Sequence, residues 1–301
     1  MRIILTATGV LRFLSISISG INCSSVETFD NELYPLQKLI MIPEITDTQR
    51  EEFNRNVESE FISIMDESSK KISGYRTKNR LFLETVMTPL IDPHLGRISQ
   101  MSKVEIINYF TLFSFEIYQR YIGKDFYRWG GDILDLDDPQ ERGSRCKFSF
   151  GLDCSGFIAS PYELAVYYGL INDTEALFSS KGYQKYCQAN KKQDIGGREG
   201  SSNNFRLDTQ ELAELGRELF RLEKKQIPTE QQIKLLQPGD IVGRSGHFGI
   251  IAELNGETYY FESGGWVVPE NDGIPVKAFD ALKIFASTGS ISVKRCLENR
   301  N

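Results

Sequence analysis

A chain of 301 residues, 40% hydrophobic and 25% charged, has enough apolar material for one large domain or two modest ones. Its formal net charge of -6 excludes the basic footprint of a nucleic-acid binder, so no nucleic-acid partner is expected. Two histidines and no Cys-x-x-Cys pair leave little from which to build a zinc site, and neither metal nor cofactor is expected.

Residues 1–23 read in two ways. Arg2, the apolar Ile3-Ile4-Leu5 and the approach to Cys23 match an export signal, with Cys23 as a lipidated residue. The alternation Leu14-Ser15-Ile16-Ser17-Ile18-Ser19 matches a β-strand. The first reading sends the protein to the cell envelope, the periplasm or the exterior. Membrane attachment is then through the N-terminal anchor alone, because no other run is long and apolar enough to span a bilayer.

Residues 24–104 are polar, charged and helix-like. Phe53, Val57, Phe61, Ile62 and Met65 follow Thr46-Asp47-Thr48-Gln49 at spacings that share one helical face. Leu81, Leu83, Val86 and Met87 predict a second helix, ended by Pro89 and Pro93. His94, between Pro93 and Leu95-Gly96, carries no catalytic signature. From Ser102 an apolar helix runs through Ile106, Phe110, Phe113 and Ile117 to Gly123. Residues 132–152 and 188–204 are too polar for core and read as lid, specificity or disordered loops. Leu212, Leu215, Leu219 and Leu222 predict one amphipathic helix, and strands are expected from Ile241 to Val268.

Chemistry concentrates in two places. Asp153-Cys154-Ser155-Gly156-Phe157 puts a cysteine where an apolar helix begins. A helix N-terminus carries unpaired N–H groups and partial positive charge, which favour a thiolate. Asp153 reads as a cap for that helix, or as a substrate contact beside Ser155. Far downstream, Gly246-His247-Phe248-Gly249-Ile250 puts the second histidine on a strand. A cysteine and a histidine are the minimum equipment for covalent acyl transfer. Gly249 is expected to leave space beside the imidazole. Asn255-Gly256 is a two-residue hairpin signal, and its register sets Ile251 opposite Tyr260, with Glu262 a diagonal neighbour of His247. A carboxylate there would fix the tautomer and stabilise the imidazolium. Tyr127, ahead of Arg128-Trp129-Gly130-Gly131, offers a phenol to the same cleft. Of the other cysteines, Cys146, Cys187 and Cys296 allow one disulfide of unreadable pairing.

Tyr127-Arg128-Trp129-Gly130-Gly131, Asp153-Cys154-Ser155-Gly156-Phe157, Leu236-Gln237-Pro238-Gly239-Asp240-Ile241-Val242 and His247-Phe248-Gly249-Ile250 together resemble the NlpC-type, papain-like bacterial cell-wall cysteine peptidases. Arg206-Leu207-Asp208-Thr209-Gln210 with Gly216 adds to the likeness, which spans residues 105–290. The resemblance implies an α+β papain-like core over residues 105–301, a helix bearing Cys154 packed on an antiparallel sheet bearing His247, behind a helical region over residues 24–104. It implies Cys154 as nucleophile, His247 as base, and a backbone contribution of Cys154 to the oxyanion hole. It also implies a Tyr127 hydroxyl near the site, and a peptidoglycan stem peptide as substrate. Simple alignment places Phe261 at the orienting position, whereas the hairpin count places Glu262 there. Pro161 inside the expected helix predicts a kink or restart. Two other readings stand beside this one: an amide hydrolase or acyltransferase with a non-wall substrate, and an inert wall-binding module.

Overall fold

In the computed structural model, the residues described are 82–123, 126, 127, 133, 151–172, 209–244, 246–265, 267 and 275–297, with a few isolated positions elsewhere. The segment 1–23, all but Arg55 of the helix expected through Phe53 to Met65, Trp129-Gly130-Gly131, Cys146, Cys187 and nearly all of both polar loops lie outside them.

The second expected helix does not stop at its prolines. A π-helical turn, Leu83–Met87, runs into α1 (Thr88–Ile91), a 3-10 turn (Asp92–His94) and α2 (Leu95–Ile98). Pro89 and Pro93 each fall in the first turn of a new segment, where a missing N–H costs nothing. Phe82, Leu83, Met87, Ile91 and Ile98 are buried, and Phe82 meets Tyr118 and Tyr121 edge-on, both at 5.1 Å. That contact packs the run on α3 (Lys103–Ile122), which starts at a Ser102–Glu105 capping box and ends at Gly123, φ +109°.

Helix α4 (Cys154–Tyr167) is unbroken across Pro161. The proline removes the N–H that the Phe157 carbonyl would have received. Ser160 Oγ donates to that carbonyl instead, at 2.8 Å, so the helix continues where a restart was expected.

The leucine periodicity at 212–222 was misleading. Helix α5 covers only Thr209–Glu214, and Arg217–Leu222 is strand β1. Gly216 between them has φ +74°, and a Cβ there would lie 2.7 Å from the Arg295 carbonyl. The leucines therefore divide, Leu212 and Leu215 going to one core and Leu222 to another. A short helix, α6 (Glu230–Lys234), leads to β2 (Ile241–Arg244), β3 (His247–Leu254), β4 (Glu257–Phe261), β5 (Val276–Lys277), α7 (Ala278–Thr288) and β6 (Ile291–Arg295). The described strands form a six-stranded sheet in the order β1-β6-β2-β3-β4-β5, with every neighbouring pair antiparallel.

The architecture is thus α+β, an antiparallel sheet between helices. Alternate residues of β3 serve two cores. Phe248, Ile250, Ala252 and Leu254 join the helical run, α3 and α4, while Ile251 joins Val242, Tyr260 and α7. Asn108 of α3 locks one side by bonding both backbone groups of Glu253, accepting at 2.8 Å and donating at 3.0 Å. Among the described residues no helix is long and apolar enough to cross a membrane.

Candidate active site

The hairpin forms in the register expected. Asn255 and Gly256 both have positive φ, +55° and +79°, as a type I′ turn requires, and Ile251 faces Tyr260 while Ile250 faces Phe261. Phe261 points into the core, where its ring meets Phe115 edge-on at 4.9 Å. The next residue points the other way. His247 Nε2 donates to Glu262 Oε2 at 2.6 Å. Both side chains are shielded, His247 being 1% exposed and Glu262 11%, so water competes little for this bond. The hairpin count, not simple alignment, locates the imidazole's partner.

Two donors unseen in the sequence complete the carboxylate's shell. Tyr260 Oη donates to the same Oε2 at 3.0 Å, and the Val267 N–H donates to Oε1 at 2.8 Å. Gly264 and Gly265, with φ of +119° and +57°, turn the chain so that Val267 can return to Glu262. The expected space at Gly249 exists but has another occupant. A Cβ at Gly249 would collide with the Tyr260 ring and the Phe261 carbonyl. The imidazole packs instead on Phe285 of α7, edge to face with centroids 6.0 Å apart.

Cys154 is the first residue of α4 and is 7% exposed. Asp153 caps this helix: its Oδ1 accepts from the Gly156 N–H at 2.8 Å and from Ser155 Oγ at 2.9 Å. Asp153 and Ser155 are buried and bonded to each other, so their observed task is to shape the helix start. Ser263, which follows Glu262, donates to the Leu152 carbonyl at 2.6 Å and ties this start to the end of β4. Tyr127 joins the assembly through its backbone, which bridges Leu152. On the other side, Thr209 Oγ1 accepts from the Gly246 N–H at 3.1 Å, steadying the residue before His247.

The backbone N–H of Phe248, one residue past His247, bears on the Cys154 thiol. Burial pushes that thiol up. The N–H groups of Phe248, Ser155 and Cys154 itself pull the other way, and the Glu262 charge adds to the upward push. A thiol so placed needs a base to take its proton near neutral pH. Among the described residues, no group of three or more His, Cys, Asp and Glu side chains could hold a metal ion. Cys296 is a second free thiol, buried beside Gly216 and held in its protonated form chiefly by that burial.

No family model, curated protein or solved structure matches the chain.

Proposed function

We propose that this protein is a cysteine-type amide hydrolase with a papain-like core, in which Cys154 attacks, His247 moves protons and Glu262 orients the imidazole. The observation that carries the reading is the 2.6 Å bond from His247 Nε2 to Glu262 Oε2, made from the strand on which the Cys154 helix packs. With Nε2 committed to the carboxylate, Nδ1 is the nitrogen for exchange with the thiol.

The chemistry then balances in two halves. Nδ1 takes the Cys154 proton, and the thiolate adds to the amide carbonyl carbon. The oxyanion meets N–H groups at the start of α4, including that of Cys154. The imidazolium returns its proton to the departing amine as the C–N bond breaks, leaving a thioester. Water, deprotonated by His247, attacks the thioester and releases the carboxylic acid and the thiol. Glu262 keeps its bond to Nε2 throughout and stabilises the imidazolium.

The substrate proposed is a peptidoglycan stem peptide, met outside the cytoplasm; the motifs around Tyr127, Cys154 and His247 support that choice. The test is mass spectrometry of purified peptidoglycan fragments incubated with the protein and with Cys154→Ala. New amine and carboxyl termini are expected with the parent alone. Cleavage that persists in Cys154→Ala would refute the cysteine mechanism. No cleavage of wall fragments, with Cys154 still rapidly alkylated, would transfer the activity to another amide or acyl donor.

A further inference from the structure

Oε2 of Glu262 carries two hydrogen bonds, from His247 and from Tyr260, while Oε1 carries the third from Val267. Tyr260 is 1% exposed, and its hydroxyl reaches Glu262 because Gly249 has no Cβ to hold the ring off β3. The ring also rests near Phe285, the residue that backs His247, at a centroid distance of 6.4 Å. We propose that Tyr260 is a positioning residue of this site: its phenol, seated in the gap at Gly249, holds the Glu262 carboxylate in place and aimed at His247. The inference rests on the catalytic reading of Cys154, His247 and Glu262 and adds a fourth residue that touches no substrate.

Two observations support it. Burial, and after it the Glu262 charge, push the Tyr260 phenol well above its ordinary range, so it stays protonated and able to donate. Together the Tyr260 and Val267 bonds engage both carboxylate oxygens, so the group keeps its plane without relying on its bond to His247. Among the described residues, the titratable groups that bear on Glu262 are His247 from β3, Tyr260 from β4 and Cys154 from α4, and Arg244 lies 5.2 Å from the centroid of the Phe285 ring.

The experiment is proton NMR of 15N-histidine-labelled protein. With two histidines in the chain, His247→Ala assigns the downfield Nε2–H resonance without ambiguity. In Tyr260→Phe this resonance should broaden and move upfield, because the carboxylate is held less firmly against it. Iodoacetamide alkylation of Cys154 at neutral pH should slow about tenfold, the scale of a single hydrogen bond to a charged group. Tyr259→Phe, whose hydroxyl bonds Glu257 instead, should change neither readout. An unchanged resonance and alkylation rate in folded Tyr260→Phe would overturn the proposal. Should that variant not fold, the parent decides: a nuclear Overhauser contact between the Tyr260 hydroxyl proton and the His247 Nε2–H is expected, and its absence counts against the shared oxygen. If His247→Ala leaves Cys154 alkylation unchanged at every pH, the catalytic reading fails separately, and the resonance still reports on Tyr260.

Discussion

Tyr162 donates its hydroxyl to the Gly239 carbonyl at 2.7 Å, joining the helix that begins at Cys154 to the turn that launches β2. The pair is fully buried, and Gly239 has φ +91° with its missing Cβ only 2.8 Å from the Tyr162 oxygen. The glycine of the Gln237-Pro238-Gly239-Asp240 turn is therefore required for both backbone shape and space. Tyr162→Phe should cost about 1–3 kcal/mol by leaving the carbonyl without its donor. Gly239→Ala should cost more, because strain and overlap add to it. Urea unfolding measures both. Equal, near-zero losses would mean that the turn is held by other contacts.

The buried thiol sets a pH expectation. Burial and the Glu262 charge hold Cys154 up, so in the proposed mechanism the thiolate forms near neutral pH by giving its proton to the imidazole. His247→Ala should slow iodoacetamide alkylation at pH 7 by at least tenfold, the effect of about one unit of lost thiolate stabilisation. The rate should recover only as the pH rises toward the thiol's own elevated range. An alkylation curve identical to the parent's would show that the two side chains do not exchange a proton.

Neighbouring residues of β4 should fail differently when truncated. Phe261 is fully buried against Phe115, so Phe261→Ala should lose about 3–5 kcal/mol of stability. Glu262→Gln keeps the shape of the carboxyl group but lacks its charge and sets an NH2 against at least one donor, so it should lower turnover and cost about 1–3 kcal/mol of stability. Glu262→Ala should lower turnover further. Full activity in Glu262→Ala would reduce the site to a Cys–His dyad, with another acceptor holding the imidazole.

How much of this was legible in the sequence depends on how local each cause is. The β3–β4 register could be read because Asn255 and Gly256 fix it within two residues, and Glu262 followed by counting. The start of α3 at Ser102 and its end at Gly123 were equally local. The single helix expected through Leu212 to Leu222 failed because spacings of three and four residues do not reveal that the chain crosses from one core to the other at Gly216. Pro161 suggested a break because periodicity says nothing of a Ser160 hydroxyl able to replace a missing N–H. The roles of Tyr260 and Val267 were out of reach. One depends on a ring filling the place of an absent Cβ across the hairpin, the other on a chain reversal after two glycines.

The last expectation concerns the ion pair under the sheet. Asp240 is fully buried and accepts from Arg295 through both oxygens, each at 2.9 Å, and from the Gln237 N–H at 2.9 Å. Burial raises its carboxyl, and the bonds from Arg295 and Gln237 oppose that rise. Arg295→Leu removes the strongest opposition and strands a buried charge, so about 3–5 kcal/mol should be lost at pH 7. The sign with pH follows from linkage. A carboxyl raised in the folded state binds its proton more tightly there than in the unfolded chain, so stability is retained below the unfolded pKa and lost as the pH rises through the folded one. The Arg295→Leu variant should therefore regain stability on going from pH 7 to pH 5, as Asp240 becomes neutral. Adding Asp240→Asn, which keeps an acceptor for Gln237, should restore much of the loss at pH 7 and flatten the pH dependence. Urea midpoints at the two pH values decide it. A loss in Arg295→Leu that is the same at both would show that the guanidinium acts by packing and by its bond to the Leu235 carbonyl, not by compensating the buried charge.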